Sequence, residues 1–225
     1  MNKQHLIYQI NNCQIRTWPW NHVVFDKIFT NADYTAILKN LPPISCLTES
    51  RLVPPHLRPV NVDMTYSPQR FILAEVEDIP DLNQQVFWQD IKNTFLDGAV
   101  KQAVLHRFWD LIQQRIGPDL IDTVEFYDGF ELTLDRPGYD LKPHPDRFAK
   151  IFSLVINLAS DTSHTDMGTA VYTSKNPADL VYKTDYAPNT GFGIFRSEDS
   201  WHGVETTDVD RWSIQYIVLG RDRDH

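Results

Sequence analysis

The sequence predicts a mainly β fold with flanking helices, in which an antiparallel sandwich or barrel follows a helical N-terminal part. Three observations predict it. After residue 120 the chain breaks into seven or eight short apolar or alternating runs separated by turn signals, the pattern of an antiparallel sandwich or barrel. Before that point the strongest helical period runs from Ala99 to Ile116, where Val100, Val104, Leu105, Phe108, Leu111 and Ile112 recur at three- and four-residue spacing. The 225 residues, 42% hydrophobic and 23% charged, suffice to bury one real core.

Taken in order, "HLIYQI" and "HVVFDKIF" read as short strands. "TNADYTAILKNLPP" reads as a helix capped by Thr30 or Asn31 and stopped by Pro42 and Pro43. Residues 46–70 form a proline-rich loop region, left by "RFILAEV" as a strand. "DLNQQVFWQDIKNTFLD" suggests a further helix, and Gly117-Pro118 ends the strong helical stretch. The later strands are "TVEFYDGFELTL", "AKIFSLVINLA", "GTAVYTS", "LVYKTDYA", "TGFGIFRS", "HGVETT" and "RWSIQYIVLG". In "AKIFSLVINLA" both alternating sets contain apolar residues, which predicts a central strand. The division falls near residue 118: an N-terminal extension, 1–118, packed on a strand-rich core, 119–221, as one structural unit.

The formal charge of −9 favours solubility and argues against nucleic acid or an anionic membrane as partner. Cys13 and Cys46 are too few for a disulfide scaffold or a thiolate metal cluster. The start shows no secretory pattern, and nothing later reaches 18 apolar residues, so no membrane span and a cytoplasmic setting are expected.

Two stretches carry the same polar pair, His144-Pro-Asp146 and His164-Thr-Asp166. In an extended segment, side-chain direction repeats every second residue, so each pair places an imidazole and a carboxylate on one face. With a distant histidine such a pair completes the facial triad that holds Fe(II) and leaves three coordination positions open. Alone, His-x-Asp is weak, and its plain alternative is a polar loop. His202 lies between Trp201 and Gly203 where a polar turn becomes a strand. Nine residues later, Arg211 and Ser213 share one face of a terminal strand. An arginine in an apolar strand needs an anionic partner. A ligand carboxylate with Ser213 as extra donor and a structural salt bridge both meet that need.

In this order, "YDLKPHPD", "GTAVY", "SWHGVE" and "RWSIQYIV" resemble the Fe(II)- and 2-oxoglutarate-dependent dioxygenases, especially the branch like prolyl hydroxylases. The likeness covers residues 120–220 closely and the N-terminal part more loosely. It implies a double-stranded β-helix, or jelly roll. By the same resemblance His144, Asp146 and His202 match the metal ligands, Arg211 the residue gripping the far carboxylate of 2-oxoglutarate, and Ser213 its accessory donor. Fe(II), 2-oxoglutarate and O2 are the implied reactants, with ascorbate as a stimulant. The implied reaction is hydroxylation of an unactivated C–H with release of succinate and CO2. A carboxylate at Asp146 favours hydroxylation over halogenation, and desaturation or ring closure stays open.

The resemblance also separates the two pairs. Asp146 stands 56 residues before His202, room for intervening strands to wrap back, whereas Asp166 stands 36 before it. His164 and Asp166 fall in the loop before "GTAVY", as surface, lid or substrate contact. Met167-Gly168 departs from the two glycines many members carry there. Relatives place a tyrosine near 2-oxoglutarate, and Tyr127 and Tyr139 both qualify. Pro143 and Pro145 remove backbone donors, which puts His144 at a strand end or sheet edge. Arg147, Trp201 and Tyr139 are candidate substrate contacts. The substrate reading is a small molecule such as an amino acid or natural product, with a peptide or protein side chain as alternative. A cupin-type metal enzyme without 2-oxoglutarate, or a sugar- or peptide-binding sandwich, leaves Arg211 unexplained.

Overall fold

The structure is a computed structural model that describes residues 1–54 and 68–222. Part of the proline-rich loop expected over 46–70 lies outside the described residues. Its described start holds a two-residue strand, β3 (Thr48–Glu49), and a 3-10 turn over Ser50–Leu52.

Eight strands build the core: β5 (Val124–Asp135), β6 (Leu141–His144), β7 (Lys150–Asn157), β8 (Ala170–Tyr172), β9 (Leu180–Lys183), β10 (Gly191–Phe195), β11 (His202–Val204) and β12 (Arg211–Asp222). They form two facing antiparallel sheets. β6, β11, β8 and β9 make the four-stranded one in that order. In the larger sheet β10, β7, β12 and β5 lie side by side, extended by β2 (His22–Phe25) and β1 (Ile15–Arg16) at one end and by β4 (Arg70–Ile72) and β3 at the other. Apart from the β8–β9 pair, successive core strands cross between the sheets, which is the jelly roll. As expected, β7 is central, between β10 and β12, and β6, which contains Pro143 and is followed by Pro145, lies on an edge, where prolines are tolerated.

Alternation along the central strands decides which face does what. Phe152, Leu154 and Ile156 of β7 and Ile214, Tyr216 and Val218 of β12 point out of the roll into the main apolar core. There they meet helices α1 (Lys3–Asn12), α3 (Leu82–Leu96), α4 (Ala99–Arg107) and α5 (Trp109–Ile116). Each fully buried side chain of this size contributes about 1.5–3 kcal/mol, so packing fastens the helices to the sheet. The opposite set, with Ser153 and Asn157 on β7 and Arg211, Ser213 and Gln215 on β12, faces the interior of the roll in mutual register. The N-terminal extension shares both the large sheet and the apolar core with the jelly roll.

The expected helix at 30–42 is α2 (Asn31–Lys39), with Thr30 as its cap accepting from the Asp33 N–H. Two element assignments are corrected. Residues 5–10, expected as a strand, belong to α1: the Asn2 side chain caps it, and Leu6 and Ile10, four apart, are buried. A short apolar run fits either period, and packing against α4 decides. The helix expected over 99–116 breaks at Phe108, whose non-helical backbone (φ −116°, ψ 16°) separates α4 from α5. The ring of Phe108 wedges between Phe152 and Phe195, at centroid distances of 5.3 and 4.4 Å.

Candidate metal centre

The site is built at the edge of the smaller sheet. β6 and β11 run antiparallel with His144 directly opposite His202, and their ring centroids lie 4.6 Å apart. Gly203 makes this approach possible, because a Cβ there would fall 2.4 Å from the Leu141 carbonyl oxygen. A larger residue would push β11 off β6 and part the two imidazoles. Two residues beyond His144 the chain turns, bringing in Asp146. One ligand atom from each of the three lies within 4.8 Å of the others, a spacing that suits three groups around a single ion.

Both imidazoles are fixed in the tautomer a metal needs. Nδ1–H of His144 donates to the Lys142 carbonyl at 2.9 Å, and Nδ1–H of His202 to that of Ser200 at 2.8 Å. A carbonyl only accepts, so Nε2 of each ring keeps its lone pair for the centre. Burial pushes the His202 imidazole down to about 4, and burial likewise lowers His144. Burial alone would raise the Asp146 carboxyl, but Lys150 and Ser153 outweigh it and hold that group well below the usual carboxylate range. Lys150 Nζ donates to its Oδ1 at 2.6 Å and Ser153 Oγ to its Oδ2 at 2.8 Å. Two neutral imidazoles and one carboxylate at neutral pH are the donor set of a facial Fe(II) site, and the residues present fit that ion.

The depressed histidines carry a stability consequence. Between pH 6.5 and about 4 the unfolded chain binds a proton at residue 202 that the folded chain refuses. Stability of the metal-free protein therefore falls as pH drops through that window, by about 3 kcal/mol from this residue. His144 adds in the same direction. Urea midpoints at pH 7 and pH 4.5 check it: the lower-pH midpoint is expected to fall, and His202→Gln to flatten the dependence.

The loop carrying Asp146 is tied down from outside. Arg196 Nε donates to the Asp146 carbonyl at 3.1 Å. Arg115 of α5 donates to the carbonyls of Phe148 and Lys150. Exposed Phe148 lies beside both guanidiniums, 5.4 and 5.5 Å from its ring centre. A helix of the N-terminal extension thus holds the ligand-bearing loop.

Arg211 lines the same cavity as His144, Asp146 and His202. Its Nη1 lies 3.3 Å from Asp135 Oδ2, and Asp135 also receives Arg70 through Nε and Nη2 at 2.7 and 2.9 Å. Both readings of Arg211 are therefore visible at once: it has a protein carboxylate, yet its buried Nε has no hydrogen-bond partner among the described residues. Ser213, also buried, meets Thr133 Oγ1 at 2.7 Å on the adjacent strand.

The remaining sequence candidates are placed as follows. Tyr127 lies opposite Leu219 on β5, packed with Ile217 and under the Arg221 guanidinium. That is eight residues along β12 from Arg211, roughly 27 Å at strand rise. Tyr139 is fully buried beneath the Arg70 guanidinium, 4.6 Å from its ring centre. Arg147 and Trp201 are half-buried and do not line the metal cavity. His164 and Asp166 are exposed, and His164 borders a separate cavity with Leu38, Tyr186 and Trp212. Sequence reasoning missed Arg70, Asp135, Lys150 and Ser153. Period-two counting forward along β5 from Thr133 could have flagged Asp135; nothing local marks Arg70.

No family model matches the chain, and no curated protein matches it by sequence. Solved structures do. A Pseudomonas putida prolyl-4-hydroxylase matches at TM-score 0.51 and 15% identity, over 97% of this chain and 99% of that one. A Trichoplax adhaerens prolyl hydroxylase, in complex with a hypoxia-inducible-factor peptide fragment, matches at TM-score 0.53 and 12% identity, over 96% and 88%. The chain has the fold of the 2-oxoglutarate–Fe(II) oxygenases. An Arabidopsis thaliana dioxygenase for auxin oxidation, in its 2-oxoglutarate complex, shares that oxygenase fold at TM-score 0.50 and 12% identity, over 97% and 88%. Within this oxygenase fold the described residues include no helix long and apolar enough to cross a membrane.

Proposed function

We propose that the protein is an Fe(II)- and 2-oxoglutarate-dependent oxygenase that hydroxylates an unactivated C–H of a small molecule, releasing succinate and CO2. The observation that carries this reading is the convergence of His144, Asp146 and His202 on one point of a cavity that Arg211 also lines. A metal site of the cupin type needs the first three and would leave Arg211 to its contact with Asp135, with the buried Nε unused.

In this reading the Nε2 atoms of His144 and His202 and a carboxylate oxygen of Asp146 hold the ion, and Arg211 with Ser213 receives the far carboxylate of the co-substrate. Bound Fe(II) and 2-oxoglutarate supply the O2-dependent oxidation, with ascorbate as a stimulant of the iron's active state. The chain's own contribution is position and exclusion. The carbonyls of Lys142 and Ser200 keep both rings turned inward, and Arg115 and Arg196 fix the loop that carries Asp146. Asp146 and His202 are 6% and 7% exposed and His144 is half-buried, so two of the three ligands are shielded from bulk water.

A small molecule is the substrate class this reading favours. Arg147 and Trp201, each next to a ligand position in the chain, remain the proposed substrate contacts; Tyr139, fully buried under Arg70, would act by holding that guanidinium and not by touching substrate. The peptide alternative has support in the Trichoplax adhaerens neighbour and its bound peptide. Succinate release, measured with Fe(II), 2-oxoglutarate and ascorbate against free amino acids and against short peptides, is expected to rise with a free small molecule. Stimulation by peptides alone would select the alternative, and a protein that forms no succinate under any substrate would be a cupin-type or binding domain.

A further inference from the structure

The arrangement around Asp135 raises a question that the proposed function leaves open. A buried arginine facing a buried aspartate across a strand pair ordinarily makes a two-pronged ion pair. That would use up the edge of the guanidinium that a ligand carboxylate needs. Arg211 and Asp135 are directly opposite on β12 and β5, yet they share only the 3.3 Å contact through Nη1.

The reason lies one strand further out. Arg70 on β4 is directly opposite Asp135 on its other side, so Arg70, Asp135 and Arg211 form one row across three adjacent strands. Arg70 takes both oxygens of Asp135, Nε to Oδ1 at 2.7 Å and Nη2 to Oδ2 at 2.9 Å. Arg70 is itself braced by Tyr139 beneath its guanidinium. Arg70, Asp135 and Arg211 are 6%, 0% and 2% exposed, so solvent does not compete for these contacts. What is left to Arg211 is one long hydrogen bond and the face of Tyr186, 5.6 Å from its ring centre, with a buried Nε that has no hydrogen-bond partner among the described residues.

We propose that Arg70 is a positioning residue for the co-substrate: by engaging Asp135 on both oxygens it keeps that carboxylate from closing on Arg211, and so reserves the Arg211 guanidinium for the far carboxylate of 2-oxoglutarate. The inference rests on the assignment of Arg211 made above. It gives β4, a strand of the N-terminal extension, a direct part in choosing the co-substrate. It also gives Asp135 two opposed effects. The carboxylate makes a buried guanidinium tolerable, and it is the internal competitor of the ligand.

The test uses the full chain, anaerobic Fe(II), and two chelating 2-oxo acids: 2-oxoglutarate, and 2-oxobutyrate, which has no far carboxylate. Dissociation constants come from the visible charge-transfer band, without turnover. Arg70→Met is expected to weaken 2-oxoglutarate relative to 2-oxobutyrate about tenfold or more, the scale of one charge-assisted hydrogen bond; because Arg70 also lines the metal cavity and acts electrostatically on His144, the ratio of the two constants is the readout. Adding Asp135→Asn in the Arg70→Met background is expected to restore most of the loss, because the competitor is gone. A merely structural role predicts that the second substitution makes matters worse. Arg70→Lys, which keeps a charge but gives up the two-pronged contact, is expected to show a smaller loss and serves if the Met variant does not fold. An unchanged ratio of the two constants in the Arg70 variants, or no recovery in the double variant, overturns the proposal. If Arg211→Met also leaves the ratio unchanged, the assignment of Arg211 falls first and takes this inference with it. If the wild-type protein gives no band, the oxygenase reading itself is what has failed.

Discussion

Alanine at His144 or at His202 is expected to abolish the visible band that Fe(II) and 2-oxoglutarate produce together under anaerobic conditions, and His164→Ala to leave it at wild-type strength. Each of the first two substitutions removes a neutral imidazole whose free Nε2 is aimed by a backbone carbonyl. Loss of a partner that merely orients such a ligand costs ten- to hundredfold in metal affinity, so loss of the ligand itself is expected to cost roughly hundredfold or more. His164 is exposed and borders a different cavity, which makes it a control sharing the local His-x-Asp pattern. Cobalt(II) titration by calorimetry gives the same comparison without the co-substrate. A band that survives in His202→Ala, or disappears in His164→Ala, would sink the metal assignment.

Arg211→Met should act on the co-substrate and spare the metal. A two-pronged contact between guanidinium and carboxylate contributes about 1.5–3 kcal/mol, so the 2-oxoglutarate concentration for half-saturation is expected to rise ten- to hundredfold. Fe(II) affinity should stay within about twofold, because Arg211 makes no contact with His144, Asp146 or His202. The variant is expected to fold: the Arg70 contacts with both Asp135 oxygens remain, so no buried carboxylate is stranded. Initial rates at varied 2-oxoglutarate, alongside the band titration, separate the two effects. An unchanged requirement would remove Arg211 from its role.

The strands after residue 120 were legible because each carries its own period and turn signals, and β5, β7, β10 and β12 fall where those signals place them. The first helix was not. "HLIYQI" is too short for its period to choose, and α4 supplies the apolar surface that makes it a helix. The break at Phe108 was equally hidden, since Val104, Phe108 and Ile112 keep helical spacing straight through it. What interrupts the helix is the aromatic packing of Phe108 on Phe152 and Phe195, two residues far away in the chain. β6 escaped strand prediction because its prolines suppress the usual signals; those same prolines identified it as an edge.

The sequence by itself determined a strand-rich antiparallel core behind a helical part and placed Arg211 and Ser213 on one face of a terminal strand, while its resemblance to the oxygenases implied the jelly roll and the preference for His144-Pro-Asp146 over His164-Thr-Asp166. The first two rest on local period and the resemblance on the order of motifs along the chain, both of which a single sequence carries. Only the tertiary structure decided that His144 stands opposite His202, that Lys150 and Ser153 hold the Asp146 carboxylate, and that Arg70 and Arg211 meet on Asp135. Register between strands 65 and 76 residues apart depends on how whole sheets close. A guanidinium's partner, unlike its need for one, is fixed only when the fold brings a carboxylate to it.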